Sequence, residues 1–319
     1  MAIENLRMGL ERAGHHCVVE RDDPDVLMSR GHYDLILLHS FSEENRETYV
    51  RCLRMAEALE LPHAIVMHDY WAICHQTNLL RPSMGWKRCR VTPDEPCRPG
   101  VRCKHPVKNE LLRDQVRHRR VVTFTERGAD TFRSAGFDSV TVIPHRIDVG
   151  AFRFQPKSSL PSGIRVCFTN AWGERDIKGY RHWDWLRRNS GDPNVEFVEA
   201  LGSLDHDSMP QFLSSCDAML FLSLWEETFG LVVVESMACG TPVISYPTGV
   251  SPDAIGNGYN GYLLDVANPK LAAEAISRLS NMSPSDRESM RAAARASVEG
   301  YYGLDRMAGD YVRLAGGTE

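Results

Sequence analysis

Short runs of apolar and β-branched residues recur along this chain, separated by segments whose apolar positions fall three and four apart. In the first half the strand-type runs are Cys17–Glu20, Tyr33–His39, His63–Met67, Arg120–Phe124 and Ser139–Ile143. Helical periodicity covers Glu4–Ala13, Glu44–Leu59 and Lys108–His118. In the second half the strand-type runs are Ile164–Thr169, Val195–Glu199, Ala218–Leu222, Pro242–Tyr246 and Gly261–Asp265. The helical patterns there are Gly179–Arg188, Met209–Ser215, Phe229–Cys239, Leu271–Leu279 and Asp286–Val298. Strand–helix alternation predicts parallel sheets with helices on both faces. The polar, proline-rich segment Pro156–Pro161 predicts a linker between two halves. The expected fold class is α/β: two Rossmann-like domains facing across a cleft, with a ligand at the carboxyl ends of the strands.

A length of 319 residues fits two domains, each able to bury a core. With 43% apolar and 25% charged residues the composition excludes a disordered chain, a collagen and a coiled coil. The longest apolar run, Ala218–Trp225, is far short of the ~20 residues of a membrane span. The opening residues lack a basic start, an apolar stretch and a small-residue cleavage site, and nine cysteines fit a reducing compartment. A cytoplasmic protein is the expectation.

Charge is uneven. The net charge is −5, yet residues 81–120 hold twelve Lys and Arg against four acids, so that segment is +8 and the remainder −13. Such a field attracts anions: an anionic or phosphorylated acceptor, or an anionic membrane face at the inner leaflet. A solvated loop and helix face is the alternative. Nucleic acid is not expected as a partner, because no aromatic platform or zinc-finger spacing accompanies the charge.

The densest chemical signal is residues 217–249. A buried strand ends near Leu224, a turn carries Glu226 and Glu227, and Thr228 is placed as N-cap of a helix from about Phe229 to Cys239, closed by Gly240. Backbone N–H groups at Thr228, Phe229, Gly230 and Leu231, with the helix dipole, favour a phosphate. Gly230 allows close approach of a ligand to the backbone. Glu227 and Glu235 lie roughly 10 Å apart along the axis. Carboxylates at that separation accept hydrogen bonds from hydroxyls at the two ends of a nucleotide-diphosphate sugar. Two solvated helix carboxylates are the alternative.

Glu227-Thr-Phe-Gly-Leu, followed by Glu235-Ser-Met-Ala-Cys-Gly-Thr-Pro-Val-Ile244, resembles the donor site of retaining glycosyltransferases of the GT-B fold, family 4 (glycosyl transferases group 1). The likeness extends to Lys178-Gly179, to Asn257–Asp265, to Val142-Ile-Pro-His-Arg-Ile-Asp148 and to Val66-Met-His-Asp-Tyr-Trp71. The resemblance implies a hexosyltransferase-type enzyme, retaining and metal-independent. It would need no resident cofactor and would use a UDP-, GDP- or dTDP-sugar as co-substrate, in natural product or polysaccharide biosynthesis. It implies roles as well. His68 and Glu227 contact the donor sugar, Glu235 holds the ribose, and Lys178 with a nearby Arg neutralises the diphosphate leaving group. No protein nucleophile is implied. The implied domains are an acceptor domain at 1–155 with a Cys-rich basic insertion at 74–105, a donor domain at 162–300, and a C-terminal helix at 301–319 crossing back to the first domain.

Several features depart from the family. Met1–His15 resembles the helix that normally follows a first strand and Gly-rich loop, so either the natural start lies upstream or that strand and loop are lost. Arg175 stands three residues before Lys178 as the only nearby phosphate-binding Arg, and His145-Arg146 replaces the usual Asn-Gly. Cys74, Cys89, Cys97 and Cys103 follow the His68 segment. They would suit a structural zinc, although free thiols or disulfides fit their irregular spacing too. Asp23-Pro-Asp25 and Asp205-His-Asp207 read as turn and cap rather than metal sites. Two further readings stay open: a nucleotide-sugar-binding protein without turnover, and a nucleotide-sugar epimerase.

Overall fold

The computed structural model describes residues 2–20, 25, 32–39, 46–74, 79–81, 87–88, 115–154, 163–170, 176–202 and 204–316. Two units emerge, one comprising 1–145 and 305–319, the other 146–304. Arg146–Phe154 goes with the second unit, ahead of the proline-rich segment. Ile147 N–H donates to the Tyr302 carbonyl, and Arg295 donates to the carbonyls of Val149 and Phe152.

The first unit opens with α1 (Ala2–Arg12). Its sheet holds β1 (Ile36–His39), β2 (His63–Val66), β5 (Arg120–Thr123) and β6 (Ser139–Val142) in that order, all parallel. A two-residue hairpin, β3 (Leu80–Arg81) with β4 (Lys87–Arg88), stands apart from it. Helices α2 (Arg46–Ala58) and α3 (Glu126–Ser134) connect strands. Thr125 caps α3, its side chain accepting from the Gly128 N–H at 3.0 Å. The expected strand at Cys17–Glu20 is not one: these residues are irregular, and Val19 is exposed. A two-valine run with no buried face lacks the packing that stabilises a strand.

In the second unit the strands are β7 (Ile164–Asn170), β8 (Val195–Leu201), β9 (Ala218–Phe221), β10 (Val243–Ser245) and β11 (Gly261–Leu263). Their spatial order is β11-β10-β9-β7-β8, all parallel. Numbered within the unit this is 2-1-3-4-5, with its topological switch between β7 and β9. Helices α4 (Tyr180–Asn189), α5 (Met209–Ser214), α6 (Leu231–Ala238), α7 (Ser251–Ala254), α8 (Pro269–Ser280) and α9 (Pro284–Glu299) complete the unit. Ile164, Val166 and Phe168 point to one face, with Ala218, Leu220 and Leu222, and pack on Trp183, Leu186, Ala275 and Ile276. Cys167, Met219 and Val243, on the alternate positions, are buried too. Both faces are covered, which is why these strands read as continuous apolar runs.

The last helix, α10 (Met307–Leu314), belongs to the first unit and lies against α1. Arg120 in β5 donates to the Leu314 carbonyl. Among the described residues, no helix is long and apolar enough to cross a membrane.

Candidate functional site

In the second unit, three neighbouring strands send their carboxyl-end segments to one place. The segment after β7 carries Lys178, the segment after β9 carries Ser223 and Glu227, and the segment after β10 carries Thr248. Backbone bonds tie them. Leu224 N–H donates to the Ile177 carbonyl at 2.8 Å, and Val250 N–H donates to the Phe229 carbonyl at 2.7 Å. This is the switch-point position where open α/β sheets bind ligands.

Glu227 is 4% exposed and closely held. Its Oε1 accepts from Lys178 Nζ at 2.8 Å and from Ser223 Oγ at 2.7 Å. Its backbone N–H donates to Thr248 Oγ1 at 2.8 Å, and that hydroxyl in turn donates to the Trp225 carbonyl. The Lys178 ammonium lies 4.9 Å from the centre of the Trp225 ring, within cation–π range. The Lys178 side chain is 23% exposed against 5% for Glu227, so the lysine reaches solvent where the carboxylate does not. Gly179 enables this arrangement. Its φ is +84°, and a Cβ there would lie 2.1 Å from the Leu222 carbonyl oxygen. Only glycine lets the β7 loop approach β9 so closely.

The helix that follows begins later than the sequence indicates. Its N-cap is Gly230, at φ +90°, and not Thr228; α6 starts at Leu231. Thr228 and Phe229 are buried, with Phe229 packed edge-on against Tyr302. The glycine is required for an internal reason as well as for ligand approach, since a Cβ on Gly230 would meet the Phe221 ring at 2.8 Å. Gly230 and Leu231 are half-buried, at the positive end of the helix dipole. At the other end, Gly240 N–H bonds the Met237 carbonyl and Thr241 N–H bonds the Ser236 carbonyl, the double closure that ends a helix at glycine. Arg295 adds a cation there, donating to the Ala238 carbonyl at 2.8 Å.

Glu235 lies in the second turn of α6, 3% exposed. Its Oε1 meets no hydrogen-bond donor among the described residues. Burial raises its pKa from 4.5 to about 7. Asn170, at the carboxyl end of β7, is likewise buried with neither amide atom partnered among the described residues. Native interiors rarely leave such groups unsatisfied without cause.

His68 lies in the first unit, two residues beyond β2. Around it are His39 at the end of β1, Phe124 just after β5 and His145 beyond β6. Burial lowers the pKa of His68 to about 4. Asp69 next to it accepts from the Trp71 N–H at 2.7 Å, and burial raises its pKa to about 6. Arg175 lies outside the described residues, as do Cys89, Cys97 and Cys103 and most of the basic segment 81–120. Cys74 is described and buried. Among the described residues, no group of three or more His, Cys, Asp or Glu is placed to hold a metal ion. Asp205 accepts from the Ser208 N–H at 2.8 Å, a turn bond.

Ser223, Trp225 and Thr248 were not singled out from the sequence. Ser223 is legible in retrospect, four residues before Glu227 in the same run. Thr248 is not, because 21 residues and a whole helix–strand step separate it from the group it holds.

Residues 193–297 match the model of the family described as Glycosyl transferases group 1. Spore coat protein SA of Bacillus subtilis (strain 168) is 30% identical over 151 residues, 46% of this chain and 39% of that protein. The 2-deoxystreptamine N-acetyl-D-glucosaminyltransferase of Streptomyces fradiae is 29% identical over 247 residues, 63% of this chain and 56% of its own length. The chain therefore spans less than two thirds of the length of these curated relatives. Among solved structures, Anabaena HepE in complex with UDP and glucose superposes with a TM-score of 0.63 at 15% identity, covering 92% of this chain and 80% of that one. Sucrose-phosphate synthase from Thermosynechococcus elongatus gives a TM-score of 0.64 at 16% identity, covering 91% and 75%. At these identities the likeness is one of fold: two Rossmann-like α/β domains of the GT-B class.

Proposed function

We propose that this protein is a glycosyltransferase of group 1 that transfers a sugar from a nucleotide-diphosphate donor to an acceptor, with retention of anomeric configuration. The observation that carries the reading is the set of groups at the β7/β9 switch point. The ammonium of a part-exposed lysine, a helix N-terminus and a buried carboxylate oxygen with no donor among the described residues suit, in turn, a diphosphate, its oxygens and a ribose. As the bond between the sugar's anomeric carbon and the diphosphate oxygen breaks, negative charge grows on the leaving group. Lys178 and the backbone N–H groups around Gly230 and Leu231 stabilise it, joined in this reading by Arg175. Glu227 accepts from sugar hydroxyls while Ser223, Lys178 and Thr248 keep its position. Glu235 accepts from the ribose hydroxyls, one of which supplies the donor that its Oε1 lacks among the described residues. In the first unit, His68 is assigned to the donor sugar. The basic segment 81–120 favours an anionic acceptor.

Thermal shifts with UDP, GDP, ADP, dTDP and CDP test the donor assignment. A diphosphate at 100 times its Kd adds about 2.7 kcal/mol of stability. One nucleotide should raise the melting temperature of the wild type and fail to do so in Glu235→Ala. If none of the five shifts the wild type, or if Glu235→Ala responds as the wild type does, the donor assignment is wrong.

A further inference from the structure

The first unit brings three imidazoles to one end of its sheet. His39 is the last residue of β1, His68 follows β2, and His145 follows β6. His39 Nδ1 and His68 Nε2 are 2.8 Å apart, a hydrogen bond between two rings 29 residues apart in sequence. His145 stacks on Phe124 with centroids 3.6 Å apart, and the His68 ring lies against both, 5.7 Å from His145 and 5.3 Å from Phe124. The His68 ring is therefore flanked by an aromatic wall and held at one nitrogen.

We propose that His39 is a positioning residue for His68: the ring-to-ring hydrogen bond fixes the orientation of the His68 imidazole and couples its tautomer to that of His39, and through it the contact that His68 makes with the donor sugar. The sugar contact rests on the glycosyltransferase reading above; the control of the ring does not.

The chemistry follows from the atoms involved. Burial keeps His39 and His68 neutral at neutral pH, with pKa values lowered to about 3 and about 4. A neutral imidazole has one N–H and one lone pair. A single N–H···N bond between two such rings couples them. When His39 Nδ1 carries the proton, it donates to His68 Nε2, and the His68 proton resides on Nδ1. When His68 Nε2 carries the proton, His39 Nδ1 accepts it and His39 is protonated on Nε2. Rotating His68 by half a turn about its Cβ–Cγ bond would put a ring carbon toward His39 and lose the bond. A lone histidine on that strand end would have neither constraint. Partners of this kind set which nitrogen of a histidine is presented to a ligand.

The test uses the full chain and two variants. His39→Leu fills the space and removes the bond. His39→Asn places an amide atom near the former Nδ1 and restores one. Ring nitrogen–proton correlation spectra, assigned by the signals lost in His68→Ala, report the tautomer directly. The His68 ring-nitrogen signals of His39→Asn should stay close to those of the wild type, and the Nε2 signal should shift in His39→Leu as its hydrogen bond to position 39 is lost. Calorimetry with UDP and UDP-glucose as probes should show His39→Leu weakening UDP-glucose relative to UDP by about three- to tenfold, the worth of one hydrogen bond, with His39→Asn close to wild type. His68 signals unchanged in His39→Leu overturn the proposal, as do Leu and Asn variants that behave alike. An altered His68 ring signal with an unaltered preference for UDP-glucose over UDP overturns the sugar contact. If the wild type binds neither probe, the donor reading fails for these ligands, and the ring spectra still decide the role of His39.

Discussion

Replacing Glu235 with glutamine should make the unliganded protein more stable, and only at high pH. The residue is 3% exposed, and its Oε1 has no donor among the described residues. Burial moves its pKa from 4.5 up to about 7. Because the folded value lies above the unfolded one, the folded protein keeps its proton through a window in which the unfolded chain has lost it. The stability contributed by the protonated carboxyl is full below about pH 4.5 and falls as the pH rises toward 7. By pH 8 the ionised side chain leaves the fold about 3 kcal/mol less stable than a neutral group would. Glutamine is neutral and nearly isosteric. Glu235→Gln should therefore gain about 3 kcal/mol at pH 8, roughly 6–12 °C in Tm for a unit of this size, and almost nothing at pH 4.5. Urea denaturation at half-unit steps from pH 4.5 to 8, followed by tryptophan fluorescence, measures this. The same substitution should abolish nucleotide stabilisation, because an amide cannot match a carboxylate as acceptor for two ribose hydroxyls. Nucleotide affinity of the wild type should rise between pH 6 and 8, with a proton released on binding, detectable by calorimetry in buffers of different ionisation enthalpy. Equal stability of the two proteins at pH 8, or a less stable Glu235→Gln, would refute both the uncompensated burial and the ribose role built on it.

Three further outcomes are expected. Lys178→Met removes the cation beside the buried Glu227 and leaves the Ser223 hydroxyl on its Oε1, so chemical denaturation should show a loss of about 3 kcal/mol, with transferase turnover lost in a sugar-release assay. Gly179→Ala forces a Cβ to within 2.1 Å of the Leu222 carbonyl at positive φ; the loss should be at least about 2 kcal/mol, read as a lowered Tm that nucleotide does not restore. Thr248→Val keeps the shape but leaves the Glu227 N–H without its acceptor, at a cost of about 1–3 kcal/mol; donor KM should rise more than acceptor KM in initial-rate measurements.

Much of the architecture was legible in the residues because its signals are local. The run Ile164–Thr169 became β7 with one residue added, and Ala218–Leu222 became β9 with one removed, since a strand covered on both faces must be apolar throughout. Lys178, Glu227 and Glu235 stood out because each sits in a short motif whose neighbours are determined by the turn or helix that carries it. The failures were failures of context. Val18 and Val19 carry strand propensity, but a strand exists only where a neighbour and a buried face receive it. Thr228 is a good N-cap by type, yet the chain turned at Gly230, because the Phe221 ring and the close packing of Phe229 decided where the helix begins.

What the sequence by itself determined is the set of elements and the chemical identity of the groups near the strand ends, since both depend on spacings of fewer than ten residues. Only the tertiary structure decided which groups meet. The strand order places the β7, β9 and β10 ends side by side, bringing Thr248 under Glu227 and Lys178 beside it. In the first unit the parallel pairing of β1 with β2 brings His39 to His68. These contacts span 21 to 49 residues. No local pattern encodes them, because their energy comes from burying two whole faces of a sheet, and that burial is settled only when the entire unit has packed.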